Sequence, residues 1–293
     1  MTTPCEAPDW RTMGREALDR GLDNGAAVAG SAEIVAGWEK RSAELRRRFG
    51  GHLDLRYGPR ERNRIDVLKA GGNAPMLLFI HGGYWQRRAK EVFTVAAEGA
   101  LAHGIDVALI GYTLAPDATL DQIVGEIHAG IDFLSLQLPA LGSDGRGIVV
   151  SGWSAGGHLA AMALAHRHVR AGLGLSGIYD LEPIRHSYLN EKLGLDEEMS
   201  RRNSPMMQPA GAAKPLTLVV GAAELPLLRR QTADFACHRA RLGLPVSYEE
   251  IPGADHFSIM NGMMAPRSRI TTLIRQLVEQ ESQAPSAVAC DRG

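Results

Sequence analysis

From residue 52 onward the chain alternates between two hydrophobic periods. HLDLRY (52–57) and RIDVLK (64–69) place apolar and polar residues at alternate positions, the signature of half-buried strands. Short apolar runs bounded by glycine or proline follow: PMLLFI (75–80), IDVALI (105–110), GIVVSG (147–152), LGLSG (173–177), LTLVVG (216–221) and VSYEEI (246–251). Such runs suit strands covered by helices on both faces of a parallel sheet. The intervening stretches, about 90–102, 120–137, 155–168, 229–242 and 265–280, have helical composition. Strands alternating with helices predict an α/β domain with a mostly parallel, eight-stranded sheet and helices on both faces.

The flanks carry a different pattern. Residues 1–50 predict a wrapping segment followed by a helix over 31–49, where Ile34, Val35, Trp38 and Leu45 fall close to one face. Its basic end, Arg46–Arg48, reads as a solvated helix C-terminus. Residues 51–280 form the α/β domain. Within it, 180–215 fits no single strand or helix and is too long for a plain connection, so it predicts a small cap insertion over the strand ends. Residues 281–293 read as a loose tail.

Composition narrows the function classes. The 293 residues carry a net charge of −1, which gives no electrostatic case for nucleic acid or an anionic membrane. No run of about 18 apolar residues is present, so no membrane span is expected. The polar start lacks the apolar core of a secretory signal. The three cysteines, Cys5, Cys237 and Cys290, form no zinc spacing and no disulfide framework. A cytoplasmic protein without a metal or organic cofactor is the expectation.

The candidate chemistry begins at Gly152-Trp153-Ser154-Ala155-Gly156, a G-x-S-x-G set between a buried strand and an Ala/Leu-rich helix. Bare, the motif is weak in a chain with 33 glycines; the strand–turn–helix frame makes it specific. Ser154 is the candidate nucleophile, and a serine hydroxyl needs a base oriented by a carboxylate. In α/β-hydrolases these follow in the order Ser, acid, His. His256, in the loop after the last strand, is the candidate base, with His186 a weaker rival and His158 a buttress inside the helix turn. Glu224 is the first carboxylate after LTLVV and the candidate acid. Asp255 adjoins His256 and Asp234 lies on the following helix, which places both badly.

Acyl transfer also needs N–H donors for the developing oxyanion. Ala155 N–H is one, and HGGYW (81–85), directly after a buried strand, offers Gly82 and Gly83 without a β-carbon in the way. His81 reads as the residue that ties this loop down. HGG with its aromatic pair, followed by GWSAGGH, GAAELP and DHF, resembles the kynurenine formamidase (arylformamidase) branch of the α/β-hydrolases, which carries H-G-G-x-W. YGP before N-x-I-D (57–66) and SGIYDLEP (176–183) are similar to it as well, so the resemblance spans about 31–277. Glu224 departs from the aspartate of the better-known animal enzymes.

The resemblance implies the α/β-hydrolase fold, a Ser-His-Glu acyl-enzyme mechanism without cofactor, N-formyl-L-kynurenine as substrate and a homodimer as partner state. Tyr84, Trp85, Trp153, Tyr188 and Phe257 lie near the expected site and could receive an aromatic ester or amide, with core packing as the competing role. Arg185, Arg201 and Arg202 could meet a substrate carboxylate or simply be solvated. A carboxylesterase or arylesterase with the same triad is the alternative, and a non-catalytic ligand-binding hydrolase fold is a second.

Overall fold

The computed structural model describes residues 9–208 and 213–280. The expected tail and part of the 180–215 insertion lie outside these, as do Cys5 and Cys290. The strands are β1 (Leu55–Arg56), β2 (Arg64–Leu68), β3 (Ala74–Ile80), β4 (Asp106–Ile110), β5 (Ser143–Trp153), β6 (Val169–Leu175), β7 (Leu216–Gly221) and β8 (Val246–Ile251). The helices are α1 (Arg15–Leu22), α2 (Asn24–Ala27), α3 (Ser31–Arg48), α4 (Glu98–Leu101), α5 (Leu120–Gln137), α6 (Ala155–Ala163), α7 (Glu182–Arg185), α8 (Asn190–Leu193), α9 (Glu197–Asn203), α10 (Pro226–Arg241), α11 (Asn261–Met264) and α12 (Arg269–Glu279).

One eight-stranded sheet runs in the order β1-β2-β4-β3-β5-β6-β7-β8. The β1–β2 and β2–β4 pairs are antiparallel and the rest are parallel. That division follows the sequence: the alternating segments make the antiparallel flank and the continuous apolar runs make the interior. Side-chain alternation splits the core in two. Met76, Leu78 and Ile80 of β3 join a layer with α1, α5, α6 and α10, whereas Leu77 and Phe79 join one with α3, the 90–97 segment and α12.

Three local readings change. Only Leu55–Arg56 of HLDLRY pairs as strand, because Asp54 turns left-handed (φ 57°) and gives its N–H to Asp66. Lys90–Ala97 is a 3₁₀ helix that packs against α3 and precedes the short α4, in place of one continuous helix. Arg46 is not solvated: its side chain is mostly buried and pairs with the fully buried Asp66, which Lys90 also reaches at 2.7 Å. Removing one partner would leave a charge stranded in the interior.

The parallel strands end together on one edge. Ile80 is level with Gly152, Trp153 with Leu175, Leu175 with Val219, and Gly221 with Ile251. The loops that leave these carboxyl ends therefore meet, which is where open α/β sheets place ligands. Over them, the long connection from β6 to β7 carries the short helices α7, α8 and α9. Gln86 Nε2 donates to Leu189 O at 2.7 Å, and Tyr188 N to Asp19 Oδ1 at 2.8 Å, so this connection is joined both to the HGGYW loop and to α1.

Candidate active site

Ser154 sits between β5 and α6 with φ 58° and ψ −121°, a conformation that costs a non-glycine residue of order 1–3 kcal/mol. Its surroundings enforce it. A Cβ on Gly152 would lie 2.1 Å from Gly156 O, and one on Gly156 would lie 2.0 Å from Ile80 O. Only glycine fits at both positions, so the turn packs tightly enough to lift the serine onto the first turn of α6. Ser154 N–H is bonded to Leu175 O at 2.8 Å, which anchors the turn to the neighbouring strand.

The HGGYW loop closes on this turn. Gly82 packs so tightly that an added Cβ would meet Trp153 O at 2.6 Å and Ser154 Cβ at 3.0 Å. Gly83 has φ 122°, and left-handed backbone continues through Tyr84 (52°) and Trp85 (58°). Three successive positive φ values are held by the environment on each side. Gly83 O accepts from Gln86 and Arg87 N–H, both at 3.1 Å. Tyr84 Oη donates to Leu22 O and accepts from Asn24. His81 lies between the rings of Phe93 and Tyr112, Tyr112 Oη donates to His81 O at 2.9 Å, and His81 Nδ1 bonds Gly82 O at 2.8 Å. The loop is thus fastened as expected of His81. Burial pushes the His81 pKa down to about 4, which keeps the ring neutral.

His256 and Glu224 come together from separate loops. His256 Nδ1 lies 2.7 Å from Glu224 Oε2, and both residues are buried. The other carboxylate oxygen accepts from Gly221 N at 2.7 Å and from Ser176 Oγ. Ser176 follows β6 with φ 51° and is fully buried. Sequence reasoning missed it as a site residue; its signal was the small Ser-Gly pair closing LGLSG at a strand end. The loop after β7 is drawn back against the one after β8. Ala223 N donates to Ala254 O at 2.9 Å, and a Cβ on Gly221 would lie 2.2 Å from that same oxygen.

Trp153 links the two halves. Its Nε1 donates to His256 O at 2.8 Å and its ring centroid lies 4.8 Å from the imidazole. Since Trp153 directly precedes Ser154, the turn and the histidine loop are held edge to edge. Trp38 of α3 and Phe257 pack on the same indole at 5.7 Å each.

The rival groups are occupied elsewhere. Asp255 Oδ1 accepts from Phe257 N and Ser258 N at 2.8 Å, capping its own turn. Asp234 pairs with Arg230. His186 is half-exposed, stacked on Trp10 and beside Glu182. Arg185 pairs with Glu182 and Arg202 with Asp121. His158 is fully buried: Trp85 Nε1 donates to its Nδ1 at 3.2 Å, and its Nε2 bonds Asn203 O at 2.7 Å. Trp85 therefore faces the core and ties the loop to α6 and, through Asn203, to α9. Tyr84, Trp153 and Phe257 are also buried, and Tyr188 is half-buried.

Three carboxylates, Asp54, Asp66 and Glu91, could converge on a cation. Lys90 Nζ already sits 2.7 Å from each of them, which makes the cluster an ion-pair network. No described helix is long and apolar enough to cross a membrane.

The BD-FAE family model matches residues 67–221, more than half of the chain. Kynurenine formamidase of Danio rerio is 29% identical over 77% of this chain and 81% of its own length. That of Drosophila melanogaster is 26% identical over 82% and 86%. Esterase LipC of Mycobacterium tuberculosis is 27% identical over 74% and 62%. Among solved structures, a candidate thioesterase from a Silicibacter species superposes with a TM-score of 0.82 and 27% identity, covering 89% of this chain and all of that one. An esterase of Pyrobaculum calidifontis, 17% identical with a TM-score of 0.67 over 84% and 92%, shares the α/β-hydrolase fold.

Proposed function

We propose that this chain, which belongs to the BD-FAE family and is a kynurenine formamidase-like α/β-hydrolase related to the HGG esterases, cleaves an aryl formamide, N-formyl-L-kynurenine, to formate and kynurenine. The observation that carries the reading is the junction of three loops at one sheet edge: Gly82 packed on Ser154, Trp153 on His256, and His256 bonded to Glu224 at 2.7 Å. The relatives named kynurenine formamidase, which align along most of the chain, support the substrate.

The mechanism follows from the charges. Glu224 accepts the Nδ1 proton of His256, which leaves Nε2 as the basic nitrogen. Ser154 Oγ attacks the formyl carbon and its proton passes to Nε2. The oxyanion is met by the N–H groups of Gly82, Gly83 and Ala155, the last at the positive end of α6. As the C–N bond breaks, His256 gives the proton to the departing arylamine. Water, deprotonated by the same ring, then attacks the formyl ester, and formate leaves with Ser154 restored. Gly221 and Ser176 hold the second Glu224 oxygen, so the carboxylate is fixed before the imidazolium forms. The helices α7, α8 and α9 act as a cap, held to the HGGYW loop by Gln86 on Leu189 O and to α1 by Tyr188 N–H on Asp19.

Steady-state hydrolysis of N-formyl-L-kynurenine beside p-nitrophenyl acetate and butyrate, with Ser154→Ala as control, tests this. The expected result is the highest kcat/KM on the formamide and loss of about 10⁴-fold or more in the variant. Turnover of the esters alone would keep the triad and assign a short-chain esterase, the reading that the LipC likeness favours. Full activity in Ser154→Ala would remove the nucleophile assignment.

A further inference from the structure

The loop that carries Gly82 and Gly83 ends in two arginines that the proposed chemistry does not use, Arg87 and Arg88. Arg88 is held in left-handed backbone (φ 78°), and Arg62 fixes it by donating to Arg88 O. Its side-chain stem lies against Gly83: a Cβ there would be 3.0 Å from Arg88 Cγ. The guanidinium is partly buried, yet it forms no hydrogen bond or ion pair among the described residues. Burial, and then repulsion from Arg87, makes its charge harder to hold than in water.

The charged groups that Arg88 feels are Arg87 on its own loop and Glu39 on α3, and among the described residues neither Glu39 nor Arg87 is itself engaged in an ion pair. Glu39 follows Trp38, the residue packed on Trp153 and Phe257. Arg88 thus lays its stem on the glycine loop while its charge feels Glu39, the α3 residue next to Trp38. Arg87 is exposed and lies within electrostatic range of Tyr84 and Tyr188 on the cap side. Two of the three cap arginines that the sequence offered for this task are spent on other work, Arg185 paired with Glu182 and Arg202 with Asp121, while Arg201 is exposed on α9.

We propose that Arg88 is the specificity-determining residue that anchors a carboxylate on the leaving-group side of the substrate, so that the site selects anionic aryl amides over neutral ones. This rests on Ser154 being the nucleophile. A partly desolvated guanidinium without a partner has most to gain from a carboxylate, which it grips through two parallel N–H groups. A formyl acyl group has no room for a charge, so the anion must belong to the amine that leaves. Arg87 supplies attraction at the rim, and Glu39 is the competing counter-charge.

The test compares N-formyl-L-kynurenine with its α-carboxamide, which differs by one charge, on the full chain and on Arg88→Gln and Arg88→Lys. The same comparison is made without turnover, as calorimetric binding of L-kynurenine and its carboxamide. The expected result is a carboxylate preference in both measurements. It should fall about 10- to 100-fold in Arg88→Gln, chiefly through KM, be partly restored in Arg88→Lys, and weaken with added salt. An unchanged ratio in Arg88→Gln, an equal loss on both compounds, or no carboxylate preference in the unaltered chain would each overturn the proposal. If Ser154→Ala keeps full activity on the formamide while kynurenine still binds by its carboxylate through Arg88, the nucleophile assignment fails and the anchor stands.

Discussion

Gly82→Ala probes the glycine loop at its tightest point. The added methyl would lie 2.6 Å from Trp153 O, 2.8 Å from Trp153 Cε3 and 3.0 Å from Ser154 Cβ. One of these contacts is with backbone, so rotation of a side chain cannot relieve it, and the loop must retreat by several tenths of an ångström. Overpacking of this kind costs about 1–3 kcal/mol, a fall in Tm of roughly 2–10 °C in a domain of this size. The retreat also carries the 82 and 83 N–H groups away from the oxyanion position proposed for them, and loss of one oxyanion donor lowers kcat about 10²- to 10³-fold. Steady-state rates on N-formyl-L-kynurenine and p-nitrophenyl acetate, with a thermal scan, separate the two effects. The expected variant is folded, slightly less stable and slow on both substrates with KM little changed. A folded Gly82→Ala that keeps kcat within threefold would refute the reasoning, because the clash would then have been relieved without moving the donors.

Two further outcomes follow from the buried polar groups. Ser176→Ala removes one of the donors to the second Glu224 oxygen, and a hydrogen bond to a charged group contributes about 1.5–3 kcal/mol, so kcat should fall about tenfold or more; wild-type kcat in a folded variant would show that Gly221 alone fixes the carboxylate. His81 and His158 are both buried, and desolvation pushes each pKa from 6.5 down to about 4. An unfolded chain takes up protons on these rings as the pH drops below about 6.5, whereas the folded chain refuses them until about 4. Their contribution is therefore complete above about pH 6.5 and is lost as the pH falls towards 4, by roughly 3 kcal/mol for each ring. Denaturant unfolding at pH 7.5 and 5.0 should show lower stability at pH 5.0; equal or higher stability there would contradict the neutral, buried rings.

What the sequence determined by itself is whatever depends on local period and on motifs read in order. Continuous apolar runs such as LTLVVG can be satisfied only between two helical layers, so the α/β sheet was legible from pattern alone. That Ser154, Glu224 and His256 would lie at one sheet edge as candidates was legible because each follows a strand, and parallel strands bring their carboxyl ends together. The glycines were legible as places of close approach. What the approach is made to, Trp153 O for Gly82 and Ile80 O for Gly156, was not.

Only the tertiary structure decided the partners of buried polar groups, since these lie far apart in the chain and no period announces them. Ser176 meets Glu224 across 48 residues, and Trp85 meets His158 across 73. Arg46 shows the same limit from the other side. A helix-terminal RRR carries the pattern of a solvated end, yet Asp66 on β2 draws its first arginine inward. A buried carboxylate must find a cation, and which cation it finds depends on the distances in space set by the fold.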